Sequence, residues 1–114
     1  MGSTTYTNRL ARGADERPTL TPEAFIDAGA EILGVSIGDI RSRGKGTVVV
    51  RAREKLALLG VERYGLRVKD LARAMKKSPD GISKAIARAA DARRENPERT
   101  VELNELDHAI AARR

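Results

Sequence analysis

From Thr21 to Arg113 the apolar residues recur every third or fourth position, and no alternating strand pattern survives between them. A chain patterned in that way can bury its apolar surface only by packing helix on helix. Thr21-Pro22-Glu23 supplies a capping hydroxyl, a proline pre-set for the first turn and an acid at the positive end of the dipole. Phe25, Ile26, Ala30 and Leu33 follow on one face, and Gly34 is the stop. Ser36 opens a short turn of helix carrying Val35, Ile37 and Ile40 around it. Thr47 is the expected cap of a helix running to about Tyr64, with Val49, Ala52, Leu56 and Leu59 as its stripe and Gly65 closing it. A shorter helix covers about Val68 to Lys76, apolar at Val68, Leu71, Ala72 and Met75. Ser78-Pro79-Asp80 starts the next, which buries Ile82, Ala85, Ile86 and Ala89 and ends before Asn96-Pro97.

The expected fold is therefore all-α, one compact helical domain over residues 21–96. Residues 1–20 lack any apolar period and read as a flexible tail or linker. Residues 97–114 carry a last amphipathic helix, about Glu102 to Arg113, with Leu103, Leu106 and Ile110.

With 114 residues there is room for one modest core and no catalytic pocket of ordinary depth. The absence of cysteine excludes a disulfide scaffold, thiolate zinc sites and a thiol nucleophile. No apolar run approaches the length of a membrane span and no signal-peptide pattern opens the chain, so a soluble cytoplasmic protein is expected. Tyr6, Phe25 and Tyr64 are too few aromatics for a base-stacking sheet. Gly44-Lys45-Gly46-Thr47 falls short of the phosphate-loop pattern, and His108 stands alone. Tyr64, the one tyrosine that invites a nucleophile reading, sits at a helix end, where it is expected to pack against the first helix. The chain is expected to be no enzyme by itself and to need no cofactor or metal.

Charge gives the positive signal. Between Arg41 and Arg94 there are 16 Lys and Arg against 5 Asp and Glu, a balance of +11, whereas the two flanks balance at −3 and −2. A basic block of that density fits a polyanionic partner. Inside it, Arg41-Ser42-Arg43-Gly44-Lys45-Gly46 has three cations, two glycines and nothing to bury, and reads as a basic loop. The two helices that follow form a helix-turn-helix if Leu71, Ala72 and Met75 pack on Ile82, Ala85 and Ile86. Asp80, Gly81, Ser83, Lys84, Ala87 and Arg88 then face outward. Lys84 and Arg88, one turn apart, can reach a single groove or its phosphates.

The order of these pieces, Ile40-Arg41-Ser42-Arg43-Gly44-Lys45, Val50-Arg51-Ala52-Arg53, Leu71 to Ser78 and Ile82-Ser83-Lys84-Ala85-Ile86, resembles the C-terminal DNA-binding domain of the DnaA-type chromosomal replication initiators. It resembles in particular the version of that domain appended to REP-associated tyrosine transposases. The resemblance covers a little over half the chain and implies a DnaA C-terminal-domain-like (TrpR-like) helical fold. It further implies that Arg43 and Lys45 enter a minor groove, that Arg51 and Arg53 touch backbone and base edges, and that Ser78 to Lys84 read the major groove. Arg41, Arg67, Lys69 and Lys77, with Asp80, Ser83 and Arg88, complete the expected set of DNA-binding residues. The initiators' Asp-His-Thr-Thr signature is replaced here by Ser78-Pro79-Asp80-Gly81, after a turn one residue shorter. Recognition of the initiators' own box is accordingly not carried over. Arg67 stands where the family has a serine cap, and Lys76 where many such turns have glycine.

The expected partner is double-stranded DNA, in a bacterial, nucleoid-associated setting, for a module that targets a transposase or replication-type assembly. A stand-alone transcriptional regulator or antitoxin would use the same module. A helical protein-interaction adaptor is the rival from another class. The acidic C-terminal segment is expected to dock on its own domain, with a homodimer or an upstream catalytic domain as the other candidates for Leu103, Leu106 and Ile110.

Overall fold

The computed structural model describes residues 18–113, and within them every regular element is an α-helix. The tail expected over residues 1–20 lies almost wholly outside the described residues.

The first helix, α1 (Pro22–Leu33), starts as its sequence dictates. Thr21 Oγ1 accepts from the Ala24 amide at 3.1 Å, and Gly34 adopts φ 75° to end it. Helix α2 (Ile37–Arg41) is capped by Ser36, whose Oγ accepts from the Asp39 amide at 2.9 Å. Its one buried side chain, Ile40, pins it to the core.

Helix α3 (Thr47–Arg63) departs from expectation in two ways. Gly46, not Thr47, occupies the cap position, and no side chain caps the helix. Its burial also exceeds one stripe: Leu56, Ala57, Leu58, Leu59 and Gly60 are all buried. The reason is topological. Helix α3 is the axis of the domain and touches all five other helices, so the run from Leu56 to Gly60 is enclosed on every side and solvent is met again only at Glu62.

Helix α4 (Val68–Met75) buries Leu71, Ala72, Ala74 and Met75 against α1 and the helix that follows. It ends at Lys76, whose φ of 56° makes it the one left-handed non-glycine among the described residues. Helix α5 (Pro79–Glu95) is capped by Ser78, with Oγ accepting from the Gly81 amide at 3.0 Å, and it lies along α3 for much of its length. Ile82 and Ala89 are buried, while Ala85 and Ile86 are half-buried.

Helix α6 (Glu98–Ala112) begins four residues before the expected Glu102. Asn96 Oδ1 accepts from the Glu98 amide at 3.0 Å, so Asn96-Pro97 ends one helix and launches the next. Leu103, Leu106 and Ile110 are at most 4% exposed, packed within the chain's own core. They offer no surface to a second copy or an upstream domain. Tyr64 packs on Phe25 of α1, ring centroids 5.0 Å apart, and its hydroxyl donates to the Asp107 carbonyl at 3.3 Å. Among the described residues no helix is long and apolar enough to cross a membrane.

Ion pairs lash the helices together away from the basic loop. Arg93 on α5 grips Glu62 on α3 with two bonds of 2.8 and 2.9 Å. Arg63 meets Asp107 of α6 at 3.0 Å, Lys55 meets Glu102 at 3.1 Å, and Arg113 reaches Glu31 at 2.6 Å. Cations that looked available in the sequence are thus engaged with carboxylates on this part of the surface.

Candidate nucleic-acid interface

The segment Ser42–Gly46 has no regular structure and few apolar atoms, yet it is held in one place. The agent is Arg53, in the second turn of α3. Its Nε donates to the Ile40 carbonyl at 2.9 Å and its Nη1 to the Gly44 carbonyl at 2.6 Å. Its Nη2 donates to the carbonyls of Asp39 and Ser42 at 2.7 and 2.8 Å. A guanidinium has five N–H donors in a rigid plane, and four backbone oxygens take four of them. Two further cations finish the fixture. Arg41 Nε donates to the Ala74 carbonyl at 2.9 Å, at the negative end of α4. Lys77, in the turn between α4 and α5, donates its Nζ to the Ser42 carbonyl. Burial, with the Arg53 and Arg43 charges close by, holds the Lys77 ammonium below the usual lysine pKa.

These ties stand the loop beside the start of α5 and leave a groove of about 280 Å3 between them. Arg43 and Lys45 line it from the loop, Arg53 from α3, Lys77 and Ser78 from the turn, and Arg88 from α5. Val50, Gly81, Ile82 and Ala85 complete its walls with small or apolar groups, and Glu54 is the one acid among them. A concave surface lined by charge of one sign focuses the field along its length. The positive end of α5 opens at the same place, with Ser78 at its cap. Arg43, Lys45 and Arg88 make no ion pair among the described residues, so their charge is available to an anion.

The residues singled out in the sequence divide accordingly. Arg43, Lys45, Arg53, Lys77, Ser78 and Arg88 meet at the groove. Asp80 and Lys84 lie on the adjoining, solvent-facing side of α5, joined at 3.1 Å. Ser83 is exposed and points well away from Gly81, two residues and about 200° earlier around the helix. Arg51 lies on the other flank of α3, bordering clefts with Leu33, Val48 and Lys55 and with Ala89 and Ala92. Arg67 and Lys69 are exposed at the start of α4, while Arg41 holds Ala74 at its end, about 10 Å along the axis from Arg67. The expectation that Arg41 and Arg53 face outward as contacts is corrected: both are half-buried and turned onto main-chain carbonyls.

In sequence Gly81 is expected on the outer face of α5 and Ala85 on its packed face; both line the groove, which the sequence alone does not foresee. At Gly81 a Cβ would stand 3.2 Å from the Ser78 Oγ that caps the helix, so the glycine leaves room for the cap as well as an open wall on the groove. Compared with protein-family models the chain matches none, and a search of curated proteins returned no similar sequence.

Proposed function

We propose that this domain binds double-stranded DNA, using α4, the Lys76–Ser78 turn and α5 as a helix-turn-helix. Helix α5 enters the major groove and the Ser42–Gly46 loop enters the adjacent minor groove. The observation that carries this reading is the convergence of Arg43, Lys45 and Arg88, none of them ion-paired among the described residues, on one groove between those two elements. Neighbouring major and minor grooves are separated by a single sugar-phosphate strand. A protein that enters both must therefore seat that strand between its two probes. Cations at the rim suit the phosphates, and the small and apolar walls at Val50, Gly81 and Ala85 suit the sugars.

Backbone attraction dominates in this arrangement. Base readout is left to a few groups on α5, chiefly Ser78, Asp80 and Lys84, so intrinsic sequence preference is modest and is helped by minor-groove shape at the loop. The resemblance to the DNA-binding domain of DnaA-type initiators, and to its transposase-appended version, supports the same docking and a role in targeting an assembly to DNA. A regulator or antitoxin would present the same surface and differ only in what it is attached to or encoded beside. The adaptor reading is less favoured, because Leu103, Leu106 and Ile110 are buried.

The test is a salt titration of binding to a labelled 20-base-pair duplex, followed by fluorescence anisotropy. Each cation that neutralises a phosphate contributes about −0.9 to the slope of log affinity on log salt. The triple variant Arg43→Ala, Lys45→Ala, Arg88→Ala is expected to flatten that slope by about 2.7. An unchanged slope and affinity in the folded triple variant would overturn the reading.

A further inference from the structure

We infer that Arg53 is a positioning residue that sets the distance between the two DNA features this domain reads together, an inference that rests on the docking proposed above. The loop it holds is the kind that moves when left alone: five residues from Ser42 to Gly46, two of them glycine, with no buried side chain. Instead, carbonyls of four residues between Asp39 and Gly44 converge on one guanidinium. Planarity matters here. Four oxygens can satisfy a rigid fork only in one loop conformation, so the fork selects that conformation.

The held loop is also registered against α5. Lys77 ties Ser42 to the turn immediately before the Ser78 cap, and Arg41 ties α2 to the end of α4. Arg43 and Lys45 therefore stand at a fixed offset from Gly81, Ala85 and Arg88 across the groove. A protein with two probes at fixed offset responds to the number of base pairs between the features they meet. One with a loose arm does not. Ordering has been done before binding, so the loop adds discrimination without a further entropic cost on docking.

A direct phosphate contact by Arg53 is the competing role, and its chemistry differs. The side chain has one N–H left after its four carbonyls, and swinging outward would strand all four. Lysine would keep a phosphate contact in place. It would not keep the fork, since an ammonium is a point donor.

The experiment uses the full chain. A duplex is selected by the wild type from a random 20-base-pair pool, the loop and α5 footprints are located on it by hydroxyl-radical cleavage, and one base pair is inserted between them. The wild type is expected to lose at least about tenfold in affinity on insertion. Arg53→Lys and Arg53→Met, verified as folded by circular dichroism, are expected to bind the selected duplex more weakly and to differ less than about threefold between the two spacings. A folded Arg53→Lys with the wild-type spacing profile overturns the inference. So does an Arg53→Met variant that keeps that profile while its salt slope falls by about 0.9, the mark of one lost phosphate contact. Should both variants unfold, Lys77→Met cuts the other tie to Ser42 and is read in the same way, a wild-type profile again being decisive against it. A wild type that binds no duplex removes the DNA reading itself, and this inference with it; one that binds every duplex of the pool alike removes only the inference. A wild-type spacing profile in the variants removes only the inference.

Discussion

Lys84 Nζ lies 3.1 Å from the Asp80 carboxylate one turn earlier on α5, with both side chains mostly in solvent. A pair so exposed adds about 0.5 kcal/mol or less to stability. Its larger effect is on the surface charge at the mouth of the groove, where Asp80 offsets Lys84 and faces any approaching phosphate. Asp80→Asn is expected to raise affinity for mixed-sequence duplex about fivefold, equivalent to about 1 kcal/mol. The salt slope should steepen by about 0.9 as Lys84 gains a phosphate. Weaker discrimination among duplexes is expected to accompany the gain, because the carboxylate penalises wrong dockings as well as right ones. Anisotropy titrations at several salt concentrations check all three.

Gly29 of α1 packs directly on Leu56 of α3. A Cβ built there would sit 2.2 Å from Leu56 Cδ2, and Leu56 is completely buried. Overpacking of this kind costs about 1–3 kcal/mol, more than the roughly 1 kcal/mol that alanine gains over glycine as a helix former. Gly29→Ala is therefore expected to lower the urea midpoint. Adding Leu56→Val should recover part of the loss, so that the double variant is more stable than the two single changes sum to.

Lys76 holds a left-handed conformation, φ 56° and ψ 45°, at the end of α4. Its amide and that of Lys77 donate back to Arg73 and Ala72 at 3.2 and 2.8 Å, so the backbone bonds do not depend on the side chain. A residue with a Cβ pays about 1–2 kcal/mol for that geometry. Lys76→Gly is expected to stabilise the domain by about 0.5–1 kcal/mol, after the extra freedom glycine gives the unfolded chain is subtracted. Thermal denaturation should show a rise of a few degrees.

The Glu62–Arg93 pair gives stability a defined pH dependence. The two hydrogen bonds from Arg93 pull the Glu62 carboxyl below its usual value of 4.5, against a smaller opposing effect of burial. A group whose folded pKa is depressed stabilises the fold above its unfolded value, and that contribution is lost as pH falls through the folded value. Glu62→Gln should therefore be less stable than the wild type at pH 6, with the gap narrowing as pH drops below about 4.5. Urea denaturation at pH 6 and pH 3.5 measures both ends.

Much of this architecture is written locally. Thr21-Pro22, Ser36 and Ser78-Pro79 each announce a helix start, and all three hydroxyls accept the expected amide in the first turn. Gly34 and Gly65 close their helices at positive φ, as their placement after an apolar period implies. Other features have no local signature. The start of α6 precedes its first buried side chain, Leu103, and Val101 is exposed, so the apolar period begins late and hides the first turn. The breadth of burial on α3 follows from its central place among five neighbours, which no single helix's pattern encodes.

Arg53 is the most instructive case. An Arg-x-Arg on an otherwise surface-like turn looks the same in sequence whether it faces a phosphate or a carbonyl. Its actual partners are main-chain oxygens, which every residue possesses and no residue type marks. Arg51, two residues earlier and about 200° around the helix, has none of them. The basic loop and the cations at α5 were legible as charge; which of those charges were spent inside the molecule was not.

Nuclear magnetic resonance mapping of backbone amides during titration with a duplex tests the central claim most directly. The account predicts saturable shifts concentrated in Ser42–Gly46 and Ser78–Arg88, at physiological salt, with α6 unmoved. Shifts centred on α6 or on the α1 surface, or none that saturate, would contradict it.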